Sequence, residues 1–420
     1  MEKKSLLTQI KTGFKKSFWV ANAVELFERL AYYGPQAVLA IYLHEFLNLS
    51  VEQSTWLIGY YGFVVWFMPI IGGAMADRFG FRRTLIFAFL VLSLGNFLLG
   101  SLSSDWMAPI REVLPLFALM HILMLVPALG PAVVKPVVVG TTARAANEEV
   151  RSMGYSIYYT IVNIGAAIGP IVASVVRNSV GVESVFRVSA VTMLAMSVVT
   201  FLFYKEPDRG NEPVISSVAQ SLKNLVLVLK DLRFVTFLLV FSGFWVVFWQ
   251  QYISLPIYVR TYVDPNADVD MLLSVEAGTV ILSTFIINYF TRKLPAFPSI
   301  IAGVLISSLS WIILTFGSGV PFIVAALIVL AIGEVVQAPR YYEYISRLAP
   351  PGQQGLFMGY AFLPIGIGYL LSGPTAGALL GYFGETLKNP KLIWYVISSA
   401  GVLTSLLLVL YDRFLRPKTE

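Results

Sequence analysis

The residues best placed to do chemistry form one run, Glu25-Leu-Phe-Glu28-Arg29-Leu-Ala-Tyr32-Tyr33-Gly34-Pro35-Gln36. Glu25, Glu28, Arg29, Tyr32, Tyr33 and Gln36 recur at i, i+3, i+4, i+7, i+8 and i+11, so one helix carries all six on one face. The opposite face is Leu, Phe, Ala and Val. The run lies inside an apolar segment from Phe18 to Leu47. Lipid cannot accept two carboxyls and a guanidinium on one stripe, so the stripe must face a bundle interior or a wet cavity. Carboxyls one turn from an arginine can take up and release protons, weakening and restoring an ion pair. The competing reading is a charge cluster that only ties helices together.

The elements that position this run must be membrane helices. The chain is 57% hydrophobic and 13% charged, with a mean hydropathy of +0.74. Apolar stretches of about 20 residues, the length needed to cross a bilayer, recur twelve times from 18–46 to 391–411. So many spans demand helices rather than a barrel, because lipid offers backbone groups no partner. The net charge of +6 is no nucleic-acid signal, because it follows topology. With the N-terminus in the cytoplasm, twenty-one Lys and Arg fall on the inner side and six on the outer side. That asymmetry puts both termini inside. It leaves Arg29, Lys135 and Arg340 at membrane depth, with the acids Glu25, Glu28, Glu334 and Glu343.

Cysteine is absent and there are two histidines, His44 and His121, so no thiolate or histidine metal site is expected. Both histidines read as solvated or satisfied. Asp264, Asp268 and Asp270 read as a solvated acidic loop rather than a calcium site. No cofactor is expected.

Further motifs lie on later spans. The second ends in Gly72-Gly73-Ala-Met-Ala-Asp77-Arg78-Phe-Gly80-Phe-Arg82-Arg83. The fourth carries Gly130-Pro131 and Lys135-Pro136, where proline removes a backbone hydrogen bond and favours a kink. On the fifth, Tyr155, Tyr159 and Asn163 share a face at i, i+4 and i+8, read as a cavity lining or as packing. The seventh is aromatic, with Phe244, Trp245, Phe248, Trp249 and Tyr252. On the tenth, Glu334, Gln337 and Tyr341 share a face, and Arg340 beside Pro339 pairs with Glu343 at i+3.

Residues 1–17 read as an amphipathic cytoplasmic segment and 18–204 as a first six-helix bundle. Residues 205–232 form a cytoplasmic linker with a helix from Val214 to Lys230, and 233–420 a second bundle with a short tail. The halves repeat: Met153-Gly154-Tyr155 returns as Met358-Gly359-Tyr360, Gly169-Pro170 as Gly373-Pro374 and Pro136 as Pro339, at offsets of 205, 204 and 203.

The Asp77–Arg83 run resembles the loop signature of the major facilitator superfamily, where it is a structural latch. Several stretches together resemble the proton-dependent oligopeptide transporter family. Its first-helix motif Glu-x-x-Glu-Arg-Phe-x-Tyr-Tyr-Gly matches from Glu25 to Gly34, with Leu30 for the phenylalanine. Lys135-Pro136, Tyr158-Tyr159 through Asn163 and Gly165, Gly333-Glu334, Pro339 and Leu348-Ala349-Pro350 match further motifs. The resemblance implies an all-α membrane protein with twelve helices in two pseudo-symmetric bundles, moving di- and tripeptides with protons by alternating access. It implies that Glu25, Glu28 and Arg29 couple protons, and that Arg29 and Lys135 hold the peptide carboxylate. It also gives Asn163 a hydrogen bond to the peptide and Glu334 its amino terminus. Tyr32, Tyr33, Tyr155, Tyr159, Trp245, Trp249, Gln337 and Tyr341 complete the expected substrate residues. Asp77, Arg78, Arg82, Pro136, Pro339, Arg340 and Glu343 are the gate or structural set.

The chain departs from the family where an outer gate pairs a seventh-helix acid with a first-helix base: the positions here are Trp249 and Gln36. A carrier of another small, even anionic, solute is the alternative to peptide symport. A membrane-embedded enzyme is the remote one, since no Gly-x-Ser-x-Gly or His-Glu-x-x-His occurs. A monomer in the cell membrane, with protons and a small solute as partners, is the expectation.

Overall fold

The computed structural model describes residue 10 and residues 12–208, 218–291, 293–317, 319–349 and 354–415. The expected N-terminal amphipathic segment up to residue 9, the start of the linker helix and the Asp77 side chain lie outside the described residues. Among those described, the chain is helical, with a single extended bridge between Phe14 and Ala146 and no named strand. Among the described residues, ten helical stretches are long and apolar enough to cross a membrane, from Phe81–Leu99 to Leu392–Phe414. Lys16–Ile41, continued by a π-helical turn at Tyr42–Phe46, takes the place of the first expected span. Val51–Phe67 and Pro69–Phe79 take the place of the second. The expected all-α class is borne out. In the linker, the described helix is Val218–Leu229.

Contacts divide the chain into two compact units. One contains Met1–Pro35 and Met68–Leu222, the other Gln36–Phe67 and Lys223–Glu420. The units therefore differ from a cut at the linker: residues 36–67 cluster with the C-terminal spans. The reason is packing along their length, since Val51–Phe67 lies against Leu363–Leu379 of the eleventh span.

In the first unit the core is a cluster including Val24, Leu85, Phe89, Val134, Val137 and Met193, all nearly solvent-free. The loop after the second span turns at Gly80, whose φ of 88° disfavours a side chain. The next helix, Phe81–Leu99, is capped there by a carboxylate: the Phe81 and Arg82 amides donate to Glu206 at 2.7 and 2.8 Å. Its negative charge suits the positive end of the helix dipole. The Arg82 guanidinium donates to the Phe201 carbonyl near the end of Val182–Phe203. Arg78 lies over the Phe79 ring.

Prolines act selectively. The fourth span, Leu116–Ala145, breaks at Leu129–Gly130, just before Pro131, and Pro136 lies inside the unbroken helix Pro131–Ala145. Pro339 likewise sits inside the continuous helix Val320–Leu348, so the kinks favoured at these two positions do not interrupt the helices. The seventh span, Leu232–Val263, loses regular form after Phe248, tightening at Trp249–Gln251 and resuming at Ser254–Tyr258. Pro256 cannot donate to the Tyr252 carbonyl four residues back and crowds it.

Candidate functional site

In the first unit the polar stripe of the first span is buried, with Glu25 at 0%, Glu28 at 1% and Arg29 at 3% exposure. Arg29 holds both acids: its Nε lies 3.3 Å from Glu25 Oε1, and its guanidinium is ion-paired to Glu28. Such geometry keeps charges at membrane depth mutually compensated. Lys135, on the fourth span, adds its field to both carboxyls. The Tyr32 ring lies 5.2 Å from the guanidinium carbon and packs edge-on against Tyr33. The fifth span can approach this cluster because residue 165 is glycine: a Cβ there would fall 2.4 Å from Arg29 Cβ.

On the fifth span Tyr158, part of the Tyr158-Tyr159 motif but not of the expected substrate residues, stands beside the acids. Its hydroxyl sits beside Glu25, and its ring packs on the core cluster. Tyr155 and Tyr159 are 39% and 49% exposed, and the Asn163 side chain donates to the Tyr159 carbonyl at 2.8 Å. The i, i+4, i+8 face is therefore the open one, and Tyr158, one position before Tyr159, is turned inward.

In the second unit Glu334 meets an acid that sorting charges by loop and span passes over. Glu276, on the eighth span Val269–Thr291, is 6% exposed and within hydrogen-bonding reach of the Glu334 carboxyl. Its signal in the sequence is an acid inside the expected span 271–290. Val280, Ala331 and Val335 pack the two helices together beside the pair. A hydrogen bond between two carboxyl groups requires a proton on one of them.

Gln337 and Tyr341 have other partners than expected. Tyr341 is 2% exposed, stacks on Phe241 at 4.2 Å and donates to the Ala361 carbonyl at 2.7 Å. Gln337 packs on Gly303 of the ninth span and is 1% exposed. Tyr341 stands two turns along from Glu334, far enough to reach the irregular backbone of the eleventh span instead. Tyr342 is the neighbouring ring to Glu334. Arg340 donates to Glu343 at 2.6 Å and to the Thr291 carbonyl at 2.7 Å, while Arg347 also pairs with Glu343.

The two neutral positions of the departed gate meet through a third residue. Gln36 donates to the Tyr369 hydroxyl at 3.2 Å, and Trp249 stacks on the Tyr369 ring at 3.9 Å. Trp245 stacks on Trp249 in turn, and Tyr252 and Trp66 flank it. Beyond this layer, toward the ends of the first and seventh spans, Arg260 donates to both Glu45 oxygens at 2.9 and 2.7 Å.

His44 and His121 each bond a backbone carbonyl, of Leu49 at 2.9 Å and Phe117 at 2.8 Å. Among the described residues no three His, Cys, Asp or Glu could hold a metal. The acidic loop is not wholly solvated: Asp270 is fully buried in the first turn of its helix.

Comparison with known proteins gives the fold a relative at every level. Multidrug resistance protein MdtH of Aeromonas salmonicida (strain A449) is 23% identical over 370 residues, covering 86% of this chain and 88% of that protein. A crystal structure of a POT family transporter in complex with thioalcohol conjugated peptide superposes with a TM-score of 0.77 at 18% identity, over 94% of this chain and 96% of that one. A mutant of the nucleoside transporter NupG superposes equally well, with a TM-score of 0.77 at 11% identity over 94% and 99%. At such identities the likeness is one of fold. The family model described as Major Facilitator Superfamily matches residues 23–297 and 265–420. This multi-pass membrane protein belongs to the Major Facilitator Superfamily.

Proposed function

We propose that the protein is a proton-coupled secondary transporter of di- and tripeptides, working by alternating access as a monomer in the cell membrane, without a cofactor or enzymatic step. The observation that carries this reading is the buried cluster of Glu25, Glu28 and Arg29, with the half-buried Lys135 adding its charge to both acids. Two ionised carboxyls balance two cations. A proton taken up by either acid leaves one positive charge uncompensated in a low-dielectric place. A substrate carboxylate restores the balance, and its departure favours loss of the proton. Proton and anion thus raise each other's affinity, the reciprocal coupling that symport needs. Glu334 and its partner Glu276 supply the opposite sign, suited to a substrate ammonium.

A second reading is a carrier of another small solute, anionic or drug-like. The curated relatives named as multidrug resistance proteins favour it. One experiment separates the two. Proteoliposomes under an imposed pH gradient are offered a dipeptide library, amino-terminally acetylated dipeptides and non-peptide solutes. The peptide reading expects free dipeptides to accumulate, acetylated ones to compete poorly, and Glu334→Gln to erase that discrimination. Accumulation of non-peptides alone moves the assignment to the second reading. Accumulation that survives collapse of the gradient ends the proton-coupled reading.

A further inference from the structure

The first and fifth spans, Lys16–Ile41 and Arg151–Val180, lie side by side in one register. Gly169 faces Tyr33, Gly165 faces Arg29 and Gly154 faces Phe18, each pair 136 residues apart. That register sets Tyr158 level with Asn22 and about one turn from Glu25. Both helices are polar at this level, although the surrounding core is apolar. Asn22 is 1% exposed, and its amide nitrogen donates to the Phe18 carbonyl at 2.9 Å. Its Oδ1, the Tyr158 hydroxyl and Glu25 Oε2 are all buried without a hydrogen-bond partner. Folded proteins seldom leave such atoms unmet unless a function uses them. Glu25 is also the looser of the two acids on Arg29. It meets the guanidinium at one nitrogen, 3.3 Å away, whereas Glu28 is bound at two. The ionisable groups around Glu25 and Tyr158 are Glu28, Arg29 and Tyr33 on the first span and Lys135 on the fourth.

We propose that Asn22 and Tyr158 are positioning residues for the proton carried by Glu25. The ionised carboxylate accepts from the Tyr158 hydroxyl and from Arg29. The protonated carboxyl lets Arg29 go and turns its new O–H to Asn22 Oδ1, one turn back on the same face. Each protonation state then has a partner of its own, and neither leaves a buried group unmet. The inference rests on the proposed coupling role of Glu25 and not on the identity of the solute.

The test uses the full chain in liposomes without substrate. Infrared difference spectra between low and high pH report the stretching bands of protonated carboxyl groups. Glu25→Gln should remove one band, which identifies Glu25. Tyr158→Phe takes away the donor to the ionised form. The Glu25 band should then titrate about one pH unit higher, roughly a tenfold change in proton affinity. Asn22→Leu takes away the acceptor of the protonated form, so the band should titrate lower and stretch at higher frequency. Asn22→Ser, a milder change, should shift it less in the same direction. Loosened packing alone would not drive the two positions in opposite directions. Shifts in one direction, or none, overturn the inference and leave coupling by Glu25 standing. If Glu25→Gln removes no band, Glu25 takes up no proton, and its coupling role falls together with the inference.

Discussion

Arg29 compensates two buried carboxylates at once, so its removal is not a local loss. Arg29→Ala strands both acids, and breaking a buried pair from one side costs about 3–5 kcal/mol. The expected outcome is a marked fall in thermal melting temperature in detergent, with partial recovery in Arg29→Lys. Under the proposed function Glu25 and Glu28 do different work from Arg29: each would carry the proton that unbalances the cluster. Glu25→Gln and Glu28→Gln should lower gradient-driven accumulation at least about tenfold, equivalent to ~1.4 kcal/mol of lost coupling. Substrate counterflow should survive. Unchanged uphill uptake in both variants takes the two acids out of the coupling role.

Helix spacing decides whether these residues can meet. The fifth span reaches Arg29 only because Gly165 presents no side chain. Gly165→Ala puts a methyl 2.4 Å from Arg29 Cβ, well inside contact distance, so the spans must separate. Overpacking of this kind costs about 1–3 kcal/mol. Melting temperature and uptake should fall together; if neither moves, the close approach is dispensable. The seventh span offers the converse case. Trp249 fills the space over Tyr369, and Trp249→Ala removes a buried aromatic at a cost of about 3–5 kcal/mol. Outside labelling of an introduced cysteine on the first span should increase. Unaltered labelling means that the aromatic layer does not close the path.

For the whole molecule, the basic residues set the orientation. Arg78, Arg82 and Arg83 follow the second span, and Arg413 ends the twelfth. Both termini should therefore lie in the cytoplasm. A fluorescent protein fused after Glu420 should fluoresce, and an alkaline phosphatase fused there should be inactive. An active phosphatase fusion reverses the orientation, and with it every assignment of inner and outer ends.

Local spacing by itself makes one layer of this protein legible. Glu25, Glu28 and Arg29 lie within five positions on one helix, so their meeting follows from 3.6 residues per turn. The same holds for Arg340 with Glu343. Apolar lengths likewise make membrane helices legible in the sequence, because lipid imposes one length and one backbone solution. The tertiary structure decided the encounters that no spacing encodes. Gln36 finds Tyr369 at a separation of 333 residues, and Glu45 finds Arg260 at 215. Glu276 reaches Glu334 only because the eighth and tenth spans pack side by side around Val280, Ala331 and Val335. Even within one helix, which tyrosine turns inward was a packing outcome. Tyr158 joins the charged cluster because the fifth span closes on the first at Gly165, a rotation fixed by helix contact and invisible to periodicity.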